Sequence, residues 1–263
     1  MSALAWRDVR LAAGAATILD GVSLGAHQGE VLGIVGPNGA GKTALLRCAA
    51  GLVAGFAGQI EIGGEPLRNL SAAVRARRLA FLPQAAEPAW PVVVADAVAL
   101  GRLPHGDAGT AADDAAVAAA LDAVGIAALA ARRIDTLSGG ARALALLARA
   151  LAVEAPILLL DEPCAALDAR HQLAVMALLR RLAGEGACVV AVLHDLGLAA
   201  RFCDRVAVLA QGRLAAWDAP VAALDDVVLA AAYGVRAVRM RVDDQMLLAP
   251  WAPLETGAGA QRP

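Results

Sequence analysis

The run Gly36-Pro37-Asn38-Gly39-Ala40-Gly41-Lys42-Thr43 constrains this chain more than any other feature, because it fits the G-x-x-x-x-G-K-[ST] phosphate loop. Its flanks fit too. Glu30 to Val35 is a short apolar run that predicts a buried strand, and Ala44 to Ala50 predicts a helix ending at Gly51. Strand, loop and helix in that order aim backbone N–H groups and the positive end of a helix dipole at one anion. Gly36, Gly39 and Gly41 let the main chain wrap phosphates with no Cβ in the way. Lys42 then neutralises the β and γ oxygens as a compact point charge, and Thr43 offers its hydroxyl to Mg²⁺. Composition singles out the same residue: 22 of the 23 basic residues are arginine, and the one lysine is Lys42.

Two further segments carry chemistry. Pro156-Ile-Leu-Leu-Leu160-Asp161-Glu162-Pro163 predicts a buried strand delivering two carboxylates at its carboxyl end, where open α/β sheets bind ligands. Successive side chains on a strand point to opposite faces, so the two acids can do different work. Asp161 holds Mg²⁺ through water, and Glu162 polarises an attacking water as general base. The other segment, Leu137-Ser138-Gly139-Gly140, precedes a long apolar helix over Ala141 to Val153. A serine hydroxyl and bare glycine amides at a helix start form a second anion site.

Together these segments resemble the ATP-binding-cassette (ABC) transporter ATPases, whose signature is L-S-G-G. The resemblance extends to Phe81-Leu82-Pro83-Gln84, where a strand from Leu79 stops at proline and Gln84 matches the Q-loop glutamine that reaches Mg²⁺ and water. Cys188 to Leu193, followed by His194 and Asp195, matches the strand that ends in the switch histidine. Ala165-Ala166-Leu167-Asp168 matches the D-loop, which touches a partner subunit. Coverage runs from roughly Leu4 to Trp251. The fold implied is α/β: a P-loop NTPase core of the ABC type with an antiparallel β layer and an inserted all-helical subdomain.

The resemblance also implies an ATPase. It assigns ATP binding to Gly36, Pro37, Asn38, Gly39, Ala40, Gly41, Lys42, Thr43 and Ala44, with Ser138, Gly139 and Gly140 closing over the γ-phosphate held by the other subunit. Mg²⁺ falls to Thr43, Gln84 and Asp161, and catalysis to Glu162, His194, Gln84 and Lys42. Implied partners are a second copy of the chain, an integral-membrane permease and, indirectly, a periplasmic substrate-binding protein. Leu100-Gly-Arg-Leu-Pro, Leu193 to Arg205, and Tyr233-Gly-Val with its tail are most similar to ATPases powering uptake of ferric siderophores, haem and vitamin B12. Two other expectations stay open: a nucleotide-binding regulatory subunit with weak turnover, and a soluble ABC ATPase outside transport.

The chain also departs from the family pattern. Leu11 to Thr17 lacks the aromatic that stacks on adenine, which weakens nucleotide affinity unless Trp6 substitutes. Ala44 replaces a second hydroxyl after Thr43, and Ala141 and Leu144 replace polar residues after the signature.

Of the 263 residues, 59% are hydrophobic, yet the longest charge-free stretch, Cys48 to Ile60, contains three glycines and a glutamine. A span takes about 20 apolar residues, so none is expected. Met1 to Val9 carries Arg7 and Asp8 and lacks the apolar core of a secretory signal, so the chain is expected to stay in the cytoplasm, and the resemblance implies a peripheral place at the cytoplasmic face of the inner membrane. A formal net charge of -2 gives no nucleic-acid footprint, and the four cysteines lack metal-ligand spacing and read as reduced core residues. The expected division is 1–84, first part of the nucleotide core; 85–155, helical subdomain with the signature; 156–225, second part of the core; 226–263, a C-terminal extension. In that extension Asp225 onward predicts a helix, Val235 to Leu248 a strand-like tail, and 253–263 a frayed end.

Overall fold

The structure is a computed structural model that describes residues 2–84, 92–106, 109–243 and 245–254. The expected frayed end lies largely outside these, as does the start of the expected helical subdomain. In chain order, strands β1 (Leu4–Ala13), β2 (Ala16–Ala26) and β3 (Val31–Val35) lead into helix α1 (Lys42–Ala49). Then come β4 (Ala57–Ile62), β5 (Glu65–Pro66), α2 (Ala72–Arg78) and β6 (Leu79–Leu82). Helices α3 (Val94–Ala99), α4 (Ala111–Ala123) and α5 (Gly139–Leu151) follow, then β7 (Ile157–Asp161), α6 (Ala169–Gly184), β8 (Cys188–Val192) and α7 (Leu196–Phe202). The chain closes with β9 (Arg205–Ala210), β10 (Arg213–Asp218), α8 (Pro220–Ala223), α9 (Asp226–Tyr233), β11 (Val235–Val242) and β12 (Gln245–Pro253).

The centre is a six-stranded sheet in the order β10-β9-β3-β8-β7-β6, parallel from β9 to β6, with β10 antiparallel at one edge. Parallel strands are covered on both faces and therefore read as unbroken apolar runs. All five residues of β3, β7 and β8 are buried accordingly. Side chains alternate between two cores. Leu158 and Leu160 of β7 face the core shared with α5 and α6, while Ile157 and Leu159 face the one shared with α1 and β1. Each large aliphatic side chain contributes about 1.5–3 kcal/mol by burial.

A second, antiparallel sheet in the order β2-β1-β4-β5 covers α1 from outside. The helices α3, α4 and α5 pack together, tied by Arg102, which bonds Asp113 (2.8 Å), the Ala152 carbonyl (2.7 Å) and Glu154 (2.6 Å). The tail expected as one strand is instead a hairpin: β11 and β12 pair antiparallel, turning at Asp243, whose φ of 49° is left-handed. All four cysteines are buried and free. Burial pushes the thiols up, Cys48 to about 11 and Cys188 to about 12, which keeps them protonated.

Candidate active site

Register brings the chemistry to one edge. Leu82 pairs with Leu160, Asp161 with Val192, and Ile34 also with Val192, so β6, β7, β8 and β3 end at one level. The loop leaving β3 is shaped by close approach. A Cβ on Gly36 would sit 2.2 Å from the Leu209 carbonyl oxygen, and one on Gly41 would meet the Ile18 carbonyl at 2.8 Å. Gly41, at φ 99°, caps α1 without a side chain, and the first turn holds no acid. Helices α2, α4, α5, α6, α7 and α9 are each capped by a Ser, Thr or Asp side chain. The open N–H groups of α1 are thus left for an anion.

Lys42 is 6% exposed, and its Nζ donates to the carbonyls of Gly36 (2.7 Å) and Pro37 (3.0 Å). Burial lowers its pKa, and the charges of Glu162 and Asp161 oppose that shift. On the strand beside it, alternation separates the two acids. Asp161 points to the α1 side, 1% exposed, and accepts from Thr43 Oγ1 at 3.1 Å. Burial raises its pKa, the Thr43 bond pulls it down, and the Glu162 charge raises it further. Glu162 turns into the cleft, and its φ of 57° puts a non-glycine residue in the left-handed region, a strained conformation held by its surroundings. Its Oε1 accepts from Gln84 Nε2 at 2.8 Å and lies 2.5 Å from His194 Nε2. Three strand ends, from β6, β7 and β8, therefore converge on one carboxylate oxygen.

The second oxygen of Asp161 is buried and has no hydrogen-bond partner among the described residues. A buried carboxylate with one free oxygen beside a threonine hydroxyl is a hard oxygen donor set that suits Mg²⁺. Among the described residues no three His, Cys, Asp or Glu side chains cluster as a metal site, so the remaining ligands would come from phosphate and water.

A cleft of about 880 Å³ runs from Glu162, His194 and Gln84 past Asn38 to Ala44 and out to Leu11, Ala13, Ile18 and Val53. Among the described residues this outer wall is apolar and carries no aromatic side chain. Trp6 does not substitute: it is 1% exposed, in the core, with Nε1 donating to the Leu45 carbonyl at 3.3 Å. Arg47 also lines the cleft, a residue the sequence reading passed over. The signal was available, since Arg47 follows Thr43 by four positions and shares its face of α1.

Ser138, Gly139 and Gly140 are not in this cleft. They open α5, where Ser138 Oγ accepts from the Ala141 amide at 3.3 Å and stays exposed. A Cβ on Gly140 would approach the Ala166 carbonyl at 3.3 Å, so the signature abuts the D-loop segment of its own chain. Asp168 caps α6, its carboxylate held well below the usual range by the His171 amide and ring.

The ABC transporter family profile matches residues 19–165. The hemin import ATP-binding protein HmuV of Thermobifida fusca is 43% identical over 208 residues, 79% of this chain and 73% of that protein. The cobalamin import ATP-binding protein BtuD of Halobacterium salinarum is 45% identical over 231 residues, 87% of this chain, which spans 58% of that protein's length. Among solved structures, an inward-facing transporter described as metal-chelate type superposes with a TM-score of 0.82 at 26% identity, covering 97% of this chain and 99% of that one. The chain belongs to the ABC transporter ATP-binding family.

Proposed function

We propose that the chain is the ATP-hydrolysing subunit of a bacterial importer for an iron-siderophore, haem or cobalamin-type cargo. The convergence of Gln84 and His194 on Glu162 Oε1, at the strand edge that carries Lys42, supports this most directly. In this reading Glu162 takes a proton from water as the new P–O bond forms, and the electron pair of the breaking β–γ bridge leaves with ADP. Gln84 and His194 fix the carboxylate, and His194 meets the γ-phosphate. Lys42 leaves the Gly36 and Pro37 carbonyls for the β and γ oxygens. Mg²⁺, held by Thr43, Asp161 and Gln84, would supply charge neutralisation at the phosphates.

Gly36 to Ala44 would bind ATP on one copy, and Ser138, Gly139 and Gly140 of a second copy would close over it. The separation of the signature from the cleft supports this two-fold arrangement. Residues 1–84 and 156–225 form the nucleotide core in this reading, and 85–155 the helical subdomain. The working place is the cytoplasmic face of the inner membrane, against permease subunits fed by a periplasmic binding protein. The names of the hemin and cobalamin relatives support the cargo class.

The apolar outer wall and Ala44 favour a second reading, a nucleotide-binding regulatory subunit with little turnover. Hydrolysis separates the two. With its permease the wild type hydrolyses ATP, whereas Glu162→Gln binds ATP without turnover and accumulates as a dimer. A wild type that binds ATP but does not hydrolyse it in the assembled transporter selects the regulatory reading.

A further inference from the structure

The segment Leu100-Gly-Arg-Leu-Pro lines no part of the cleft: it forms a 3₁₀ turn, Leu100–His105, against the carboxyl end of the signature helix α5. Gly101 lies directly on the last turn of α5, where a Cβ would come within 2.3 Å of the Arg149 carbonyl oxygen. The helix ends at Ala152, whose carbonyl would find its next helical donor on residue 156, a proline with no N–H. Arg102 donates there instead at 2.7 Å, and His105 Nε2 lies 2.8 Å from the Val153 carbonyl. Glu154 then turns the chain toward β7 with a left-handed φ of 53°, and Arg102 holds its carboxylate at 2.6 Å. Arg102 is buried and also binds Asp113 of α4, itself buried, at 2.8 Å. Arg77 of α2, the helix that leads into β6, fastens the turn by donating to the Pro104 carbonyl at 2.6 Å.

One guanidinium therefore joins the carboxyl end of α5, the strained turn after it and α4. The elements on either side of that turn depend on the joint unequally. Strand β7 is laddered to β6 and β8, so its register keeps Asp161 and Glu162 in place. Helix α5 has no ladder, and its amino end, with Ser138, is exposed. Its 13 residues make a stiff rod about 20 Å long, so a tilt of about 3° at the clamped end moves Ser138 by about 1 Å. We propose that Arg102 is a positioning residue for the signature: by clamping the far end of α5 it sets where Ser138 meets the nucleotide held by a second copy. This rests on the two-fold ATPase reading and deepens it, since the effect of Arg102 falls on the partner's nucleotide and not on the phosphate loop of its own chain.

Arg102 cannot simply be removed, because Asp113 would be left buried and unpaired; the variant is therefore Arg102→Met with Asp113→Leu, which replaces both charges by apolar side chains. In the full-length chain its kcat should fall about tenfold, while the Kd for Mg²⁺-ATP measured by calorimetry stays that of the wild type. Mixed equally with Lys42→Ala chains, whose signature is sound, it should return to roughly a quarter of wild-type hydrolysis, because about half of the dimers then pair its loop with that signature. Mixed with Ser138→Arg chains it should stay below about a tenth, because no sound signature is present. Arg102→Lys, which keeps a charge beside Asp113 but cannot fork to Ala152 and Glu154, should show the same pattern in weaker form. An unchanged kcat overturns the proposal, as does a weakened Kd, recovery with Ser138→Arg, or no recovery with Lys42→Ala. The control mixture of Lys42→Ala with Ser138→Arg tells the two failures apart: if it stays inactive, the two-fold reading falls and this proposal with it.

Discussion

At the scale of single residues the site is a set of small spaces filled by particular shapes. Lys42 Nζ fits between two carbonyls 2.7 and 3.0 Å away, in a loop where Gly36 has no room for even a methyl group. A guanidinium keeps the charge but is planar and wider. Lys42→Arg is therefore expected to lose most ATPase activity, at least about tenfold in kcat/KM, while the variant melts close to the wild type. Glu162 makes a separate point. Its φ of 57° favours glycine, so replacing it by glycine or by alanine removes the same carboxylate but strains the backbone differently. Glu162→Gly is expected to be more stable than Glu162→Ala by roughly 0.5–1 kcal/mol, with both inactive. Chemical denaturation of the two variants measures it.

At the scale of elements, what the sequence showed was what burial and capping dictate locally. Strands β3, β7 and β8 are apolar throughout because both faces are covered, and the cap of α5 stood out as Ser138 before two glycines. Residues tied to such elements, Lys42, Asp161, Glu162 and His194, were legible with them. Strands β4 and β5 were not, being a short, partly exposed layer whose pairing depends on β1 far away. Strand β11 intersperses arginine with apolar residues, which marks a strand but not where the chain reverses into β12. Trp6 in the core leaves no local trace, because it is placed by packing between distant segments. Capping also yields a controlled test. Thr110 caps α4 as Ser138 caps α5, each accepting one amide at 3.3 Å. Thr110→Ala and Ser138→Ala should each cost about 1 kcal/mol of stability, but in the proposed two-fold arrangement only Ser138→Ala should depress hydrolysis, because there only that hydroxyl meets the nucleotide of a second copy.

At the scale of the whole molecule, no helix among the described residues is long and apolar enough to cross a membrane. In the proposed function, work on a cargo passes from the movement of this chain to a permease. A movement driven by ATP needs two parts that nucleotide draws together, and one copy carries those parts at separate places, the phosphate loop in the cleft and the signature outside it. If each nucleotide is held between the loop of one copy and the signature of its twin, defects in the two parts must complement. Lys42→Ala destroys the loop and leaves the signature. Ser138→Arg blocks the signature and leaves the loop. Each alone forms dimers with no intact site, but a mixed dimer keeps one: the loop of the Ser138→Arg copy facing the signature of the Lys42→Ala copy. Equal mixing makes about half of the dimers mixed, each with one site of two, so activity should return to roughly a quarter of wild type. Hydrolysis that stays at the level of the separate variants would place the whole catalytic site within one copy and remove the two-fold arrangement.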